Sequence, residues 1–117
     1  MCHCVDCQRR TGSVFSIAVF YQRGSVSIET GTSAVFERAS ASGAPVKFHF
    51  CAGCGSNVYW EAARLPDLIG VAVGAFADPQ FPPPEQSVWT KDKHVWLSLP
   101  DDMQTFEVNP PAHRPRK

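Results

Sequence analysis

Cys2, Cys4 and Cys7 crowd into Cys2-His3-Cys4-Val5-Asp6-Cys7, and Cys51 and Cys54 close the segment Phe50-Cys51-Ala52-Gly53-Cys54-Gly55. These two knots hold all five cysteines of the chain. Thiolates are soft ligands, and clustering at these spacings is the usage expected of a zinc centre. A CxxC turn brings two sulfurs to one ion and points backbone amides at them, and Gly55 suits the left-handed backbone that closes such a turn. Cys51 and Cys54 therefore read as half of a structural site. The CxCxxC element reads differently. Three thiolates from one short loop hold a metal by themselves and leave a fourth position for water, a substrate or another cysteine.

The type of ligand narrows the chemistry. Three anionic sulfurs make zinc a weaker Lewis acid and a weaker acidifier of water than three histidines would, so hydrolysis is disfavoured. The site suits a fourth thiolate, from a thiol cofactor whose attack on a small electrophile the metal controls. Arg9 and Arg10 follow the loop at once and offer forked donors for carboxylates of that cofactor. The competing reading is a closed four-cysteine site built from Cys4, Cys7, Cys51 and Cys54, a non-catalytic zinc-ribbon-like interaction module. Spacing weighs against it, because the interval from Cys7 to Cys51 is more than twice the about 15 to 20 residues that separate the knuckles of a ribbon.

Around the knots the chain reads as short strands and turns. After the polar turn Arg9-Arg10-Thr11-Gly12, residues 14–20 form a largely apolar run. Val26-Ser27-Ile28-Glu29 and Ala34-Val35-Phe36-Glu37-Arg38 suggest a hairpin turning at Gly31-Thr32-Ser33. Residues 39–45 are small and polar, hence a loop. Val46-Lys47-Phe48-His49-Phe50 alternates and delivers the chain into Cys51, and 57–61 leaves that turn as another strand. Residues 68–76 suit a central strand, with Gly70, Ala72 and Gly74 on a face approached closely by other backbone. Phe81-Pro82-Pro83-Pro84 is extended coil, since proline fixes φ and lacks a donor. Residues 87–90 and 95–99 read as two further strands, and 105–108 as an edge piece. The division expected is one domain over 1–108 and a basic, proline-rich tail over 109–117.

Among the remaining candidates, His3 sits between two ligands, and alternation along an extended CxC segment turns it away from the metal. Asp6 reads as turn chemistry and His49 as the solvent face of a strand. Trp60, Trp89 and Trp96 read as core or pocket wall.

At 117 residues and 12.9 kDa there is room for one modest core. Eleven basic and eleven acidic residues cancel, so no field recruits nucleic acid or an anionic membrane, and the basic cluster Arg114-Pro115-Arg116-Lys117 reads as solvated. The longest apolar stretch, residues 68–77, is far below the ~20 residues of a membrane helix, and no charged leader precedes Cys2. An odd cysteine count at CxxC spacing fits a reducing compartment, so the chain is expected to be cytoplasmic.

Taken together, CHCVDCQRRTGSVFS, FHFCAGCGSNVYW and VAVGAFADPQFPPPEQSVW resemble the glutathione-dependent formaldehyde-activating enzyme family, also called the centromere protein V family, from Cys2 to about residue 99. The resemblance implies a small zinc-stapled, mainly β fold of the Mss4-like type. It also implies a carbon-sulfur lyase that joins formaldehyde to the glutathione thiol, giving S-hydroxymethylglutathione. It places Cys2, Cys4 and Cys7 in the catalytic zinc loop, and Cys51 and Cys54 in one half of a structural zinc site. Family members carry the other half on an upstream GxCxCG hairpin, which these 117 residues do not contain. The expectation is therefore either a stretch internal to a longer protein or a shortened relative, with a truncated and inactive member as a further reading; loss of the hairpin would leave an unpaired strand edge that favours homo-oligomers. A smaller departure is Ser87, near where family members often carry a histidine; His94 lies later.

Overall fold

The computed structural model describes residues 1–29, 31 and 33–111. The expected basic cluster 114–117 and Thr32 of the expected hairpin turn lie outside the described residues. Contacts gather in two compact units, one made of Ile17–Phe81 and one of Met1–Ser16 together with the residues from Pro82 onward. The architecture is mainly β.

In the first unit, β1 (Ala18–Gln22), β2 (Ser33–Ala39), β3 (Pro45–Cys51), β4 (Asn57–Ala62) and β5 (Leu68–Ala72) form an antiparallel sheet in the order β1-β5-β4-β3-β2. Alternation explains its core face. Phe48 lies opposite Trp60, Trp60 opposite Gly70, and Gly70 opposite Phe20, so one row crosses four strands. Val46, Phe48 and Trp60 are the buried cluster, with Ala18, Ala62 and Ala72 packed on it. Gly70 is small because the Trp60 indole lies across it: a Cβ there would come within 2.4 Å of Nε1. The close approach expected at this strand is thus a side chain rather than backbone. β1 and β2 are the sheet's edges, and β2 exposes Val35 and Phe36.

Several expected elements differ. Residues 26–29 form no strand, and β2 pairs with β3 instead, because Gly43 at φ 91° and the Ser40–Ala44 turn let those neighbours run antiparallel. The 68–76 strand ends at Ala72 and gives way to a 3-10 turn, Val73–Phe76. The strand expected from Val14 starts at Ala18, since Ser16 exchanges both backbone hydrogen bonds with Cys2.

In the second unit, Cys2 pairs antiparallel with Ser16 and parallel with Val88, while β6 (Gln86–Ser87) pairs parallel with β7 (Gln104–Thr105). Residues 95–99 are not a strand. The Lys93 ammonium donates to the carbonyls of His94 and Leu97, which a ladder would need, and Val95 and Trp96 are exposed rather than core. The polar turn expected at residues 9–12 is the end of a helix, α1 (Val5–Thr11). Its stop is Gly12 at φ 68°, whose N–H returns to the Gln8 carbonyl. Glycine takes that left-handed conformation without the Cβ clash that other residues incur. Among the described residues no helix is long and apolar enough to cross a membrane.

Candidate metal centre

The CxCxxC loop changes conformation between its second and third cysteine. Cys2 is extended, held between the backbones of Ser16 and Val88. Cys4 is the N-cap of α1, and its Sγ accepts the Cys7 backbone N–H at 3.3 Å. Cys7 stands on the first turn. A strand end followed by a helix start thereby folds the three side chains inward, and their Sγ atoms lie within 4.8 Å of one another.

This spacing suits a metal. Zinc at about 2.3 Å from each sulfur sets neighbouring sulfurs about 3.8 Å apart, so a small contraction closes the cluster. Charge points the same way. The Cys2 thiol, then the Cys4 thiol and Ser16, hydrogen-bond Cys7 and push its pKa far down, with Arg10 adding to the effect. Cys2 is pushed up, first by its hydrogen bond with Cys4. Three crowded sulfurs thus favour a single negative charge between them, and ionising all three calls for a cation.

The backbone around the trio is held by groups that the cysteine spacing does not single out. The Gln8 carboxamide donates to the carbonyls of His3 (2.8 Å) and Asp92 (3.1 Å) and faces the His94 ring at 2.9 Å through Oε1. With both amide hydrogens on carbonyls, Oε1 is the acceptor and His94 Nε2 carries the proton. His94 thus fixes Gln8 rather than reaching the sulfurs. His3 does turn away from the trio, as expected. It is fully buried, with Nε2 at 2.6 Å from the equally buried Ser87 Oγ, and burial pushes its pKa down. Nothing local in the sequence marks Gln8, Ser16 and Ser87 for these roles, because their partners lie far off along the chain.

Arg9 and Arg10 close α1, where cations suit the negative end of the helix dipole. Arg10 follows Cys7 by three residues and shares its face, whereas Arg9 follows by two and is exposed on another.

Cys51 and Cys54 lie in the other unit, at the end of β3. Gly55 N–H to the Cys51 carbonyl and Cys51 N–H to the Ser56 carbonyl, both 2.8 Å, close the turn, and Gly55 has the expected left-handed backbone at φ 75°. Cys54 is exposed and its thiol sits 3.1 Å from Ser56 Oγ, a contact that pushes its pKa down. Among the described residues, Cys2, Cys4 and Cys7 form the one group of three or more potential ligands. His49, expected on a solvent face, is largely covered instead: it stacks on Tyr59 with centroids 4.1 Å apart and meets Glu61 Oε2 at 2.9 Å.

Residues 1–92 match the family described as glutathione-dependent formaldehyde-activating enzyme. No curated protein matches the chain.

Proposed function

Because the chain belongs to the glutathione-dependent formaldehyde-activating enzyme family, we propose that it is a zinc-dependent carbon-sulfur lyase joining a glutathione-like thiol to a small aldehyde such as formaldehyde. Membership gives a formaldehyde-activating, glutathione-related function at the level of the family, and an Mss4-like β fold. The observation that carries the finer reading is the convergence of three sulfurs within 4.8 Å inside the matched region.

In this reading Cys2, Cys4 and Cys7 hold zinc. When bound, the ion supplies positive charge that keeps sulfur deprotonated at neutral pH. The chain's own residues do the rest. The Cys7 N–H on Cys4 Sγ and the Ser16 contact to Cys7 neutralise part of the sulfur charge. Arg10, on the Cys7 face of α1, offers a forked donor to a carboxylate of the thiol substrate, and Arg9 a second donor at the helix end. The net reaction forms one C–S bond: the thiol sulfur adds to the aldehyde carbon, and the thiol proton ends on the former carbonyl oxygen. His3 is sealed against Ser87, so this proton passes through solvent rather than the imidazole.

Exchange-resolved NMR of glutathione and formaldehyde, with and without the zinc-loaded protein, tests the proposal. The expected result is faster formation of S-hydroxymethylglutathione, falling to the buffer rate in Cys7→Ser together with loss of the loop's zinc. Zinc bound at the loop with no acceleration would overturn the enzymatic reading and favour a zinc-binding interaction module.

A further inference from the structure

The strip of residues 86–92 lies between the three-cysteine loop and residues 104–109. On the loop side, His3 N–H donates to the Val88 carbonyl at 3.1 Å and Val88 N–H to the Met1 carbonyl at 2.9 Å, so the backbone is gripped on both sides of Cys2. On the far side, Phe106 N–H donates to the Ser87 carbonyl at 2.9 Å, Thr90 N–H to the Phe106 carbonyl at 3.1 Å and Trp89 N–H to the Val108 carbonyl at 3.3 Å. The strip thus carries the loop on one edge and is itself held on the other by a segment beyond residues 1–92, the stretch that matches the family. All of these residues belong to one compact unit.

Trp89 is the bend in the strip. Its backbone is left-handed, at φ 59° and ψ 40°, a conformation that a bulky side chain keeps only where its surroundings impose it. The bend ends the ladder with Met1 and His3 directly after Val88. It then sends the chain through the 3-10 turn Thr90–Asp92, which brings the Asp92 carbonyl to the Gln8 carboxamide. Three contacts hold the bend. The indole N–H donates to Asn109 Oδ1 at 3.0 Å, the Lys91 ammonium lies 5.1 Å from the ring centroid, and the Trp89 carbonyl accepts the Asp92 N–H at 3.1 Å. The indole has a single donor, and Asn109 takes it. The cysteines depend on this strip unequally. Cys4 caps α1 and accepts the Cys7 N–H, so the helix fixes those two to each other. Cys2 lies outside the helix, and its backbone is placed by Ser16 and by the strip.

We propose that Asn109 is a positioning residue for Cys2: by holding the Trp89 indole it keeps the left-handed bend, and with it the register that sets Cys2 beside Cys4 and Cys7. The proposal rests on reading these three cysteines as metal ligands and not on lyase activity.

The test measures the alkylation rate of each cysteine in the zinc-loaded 117-residue protein, with fragment masses locating the label, and zinc affinity in competition with a chelator. In the wild type, zinc should shield Cys2, Cys4 and Cys7 alike. In Asn109→Leu, Cys2 should be alkylated about tenfold faster while Cys4 and Cys7 stay shielded, and zinc should bind about tenfold more weakly, the lower end of what outer contacts contribute to a metal site. Asn109→Asp should restore both, because a carboxylate also accepts the indole N–H. Trp89→Phe keeps a ring, loses that N–H and should behave as Asn109→Leu. The proposal is overturned if Cys2 stays shielded as in the wild type in both Asn109→Leu and Trp89→Phe. It is equally overturned if all three cysteines lose shielding together in both, which marks a general loss of folding. Zinc that shields none of the three in the wild type overturns the metal reading and this proposal with it, whereas shielding without turnover overturns the lyase reading alone.

Discussion

Gln8 uses its whole carboxamide, with two donors on the carbonyls of His3 and Asp92 and one acceptor toward His94. Its effect on the three-cysteine loop is positional: it ties the helix carrying Cys7 to the extended segment carrying Cys2 and Cys4. Gln8→Leu is expected to destabilise the protein by about 1–3 kcal/mol in urea unfolding, because the groups left behind are partly buried and unpaired. It should also weaken zinc binding by about tenfold or more in competition with a chelator. A second residue-scale effect sits on the sheet. Arg23, at 2.6 Å, and then His49 hold the Glu61 carboxyl below its usual value of 4.5. Its folded form therefore binds fewer protons than the unfolded form. The stability it contributes is complete above the unfolded pKa and is lost as pH falls through the lower folded one. Unfolding curves of the wild type and Glu61→Gln should differ at about pH 7 and converge as pH falls through the lowered folded value.

At the scale of elements, β3 was legible because Val46 to Phe50 alternates and one face is buried, and a period of two is the mark of a half-buried strand. The helix α1 was not, because seven residues with no buried side chain show no hydrophobic period. Its end signals were present nonetheless, in Asp6 in the first turn, Arg9 and Arg10 in the last, and Gly12 beyond. The hairpin expected around residue 31 did not form because β2 pairs instead with the strand that follows it, β3, through the Ser40–Ala44 turn. Gly70 lets the row Phe48-Trp60-Gly70-Phe20 close. Gly70→Ala is expected to cost about 1–3 kcal/mol and to shift the tryptophan fluorescence, because the indole must move. Gly74→Ala, where an added Cβ meets nothing within 4 Å, is the control and should change little.

At the scale of the whole molecule, the contacts form two compact units, and the three-sulfur loop belongs to the one built from both sequence ends. A metal bound only in the folded state stabilises that unit by mass action, about 2.7 kcal/mol at a free concentration 100 times the dissociation constant. Chelation should therefore lower the melting temperature, and readdition of zinc should restore it. Hydrogen exchange is expected to resolve the effect: protection should fall in Met1–Ser16 and in residues 82–108 on chelation, while the sheet of β1 to β5 keeps its protection. A uniform loss over both units would count against the loop as the metal's site.

By itself the sequence singled out the clustered cysteines as candidate soft ligands, because CxC and CxxC spacings suit thiolate chemistry; the structure gathers Cys2, Cys4 and Cys7 into one group. The sequence also determined the strands that deliver Cys51 and leave Cys54, because alternation and a left-handed glycine are local properties. Tertiary structure alone decided what surrounds the sulfurs. The Ser16 and Val88 backbones flank Cys2, Ser87 seals His3, and Gln8 meets Asp92 and His94. Each of these is a hydrogen bond across a long stretch of chain, which local pattern does not encode because the free energy that selects it comes from packing the intervening residues.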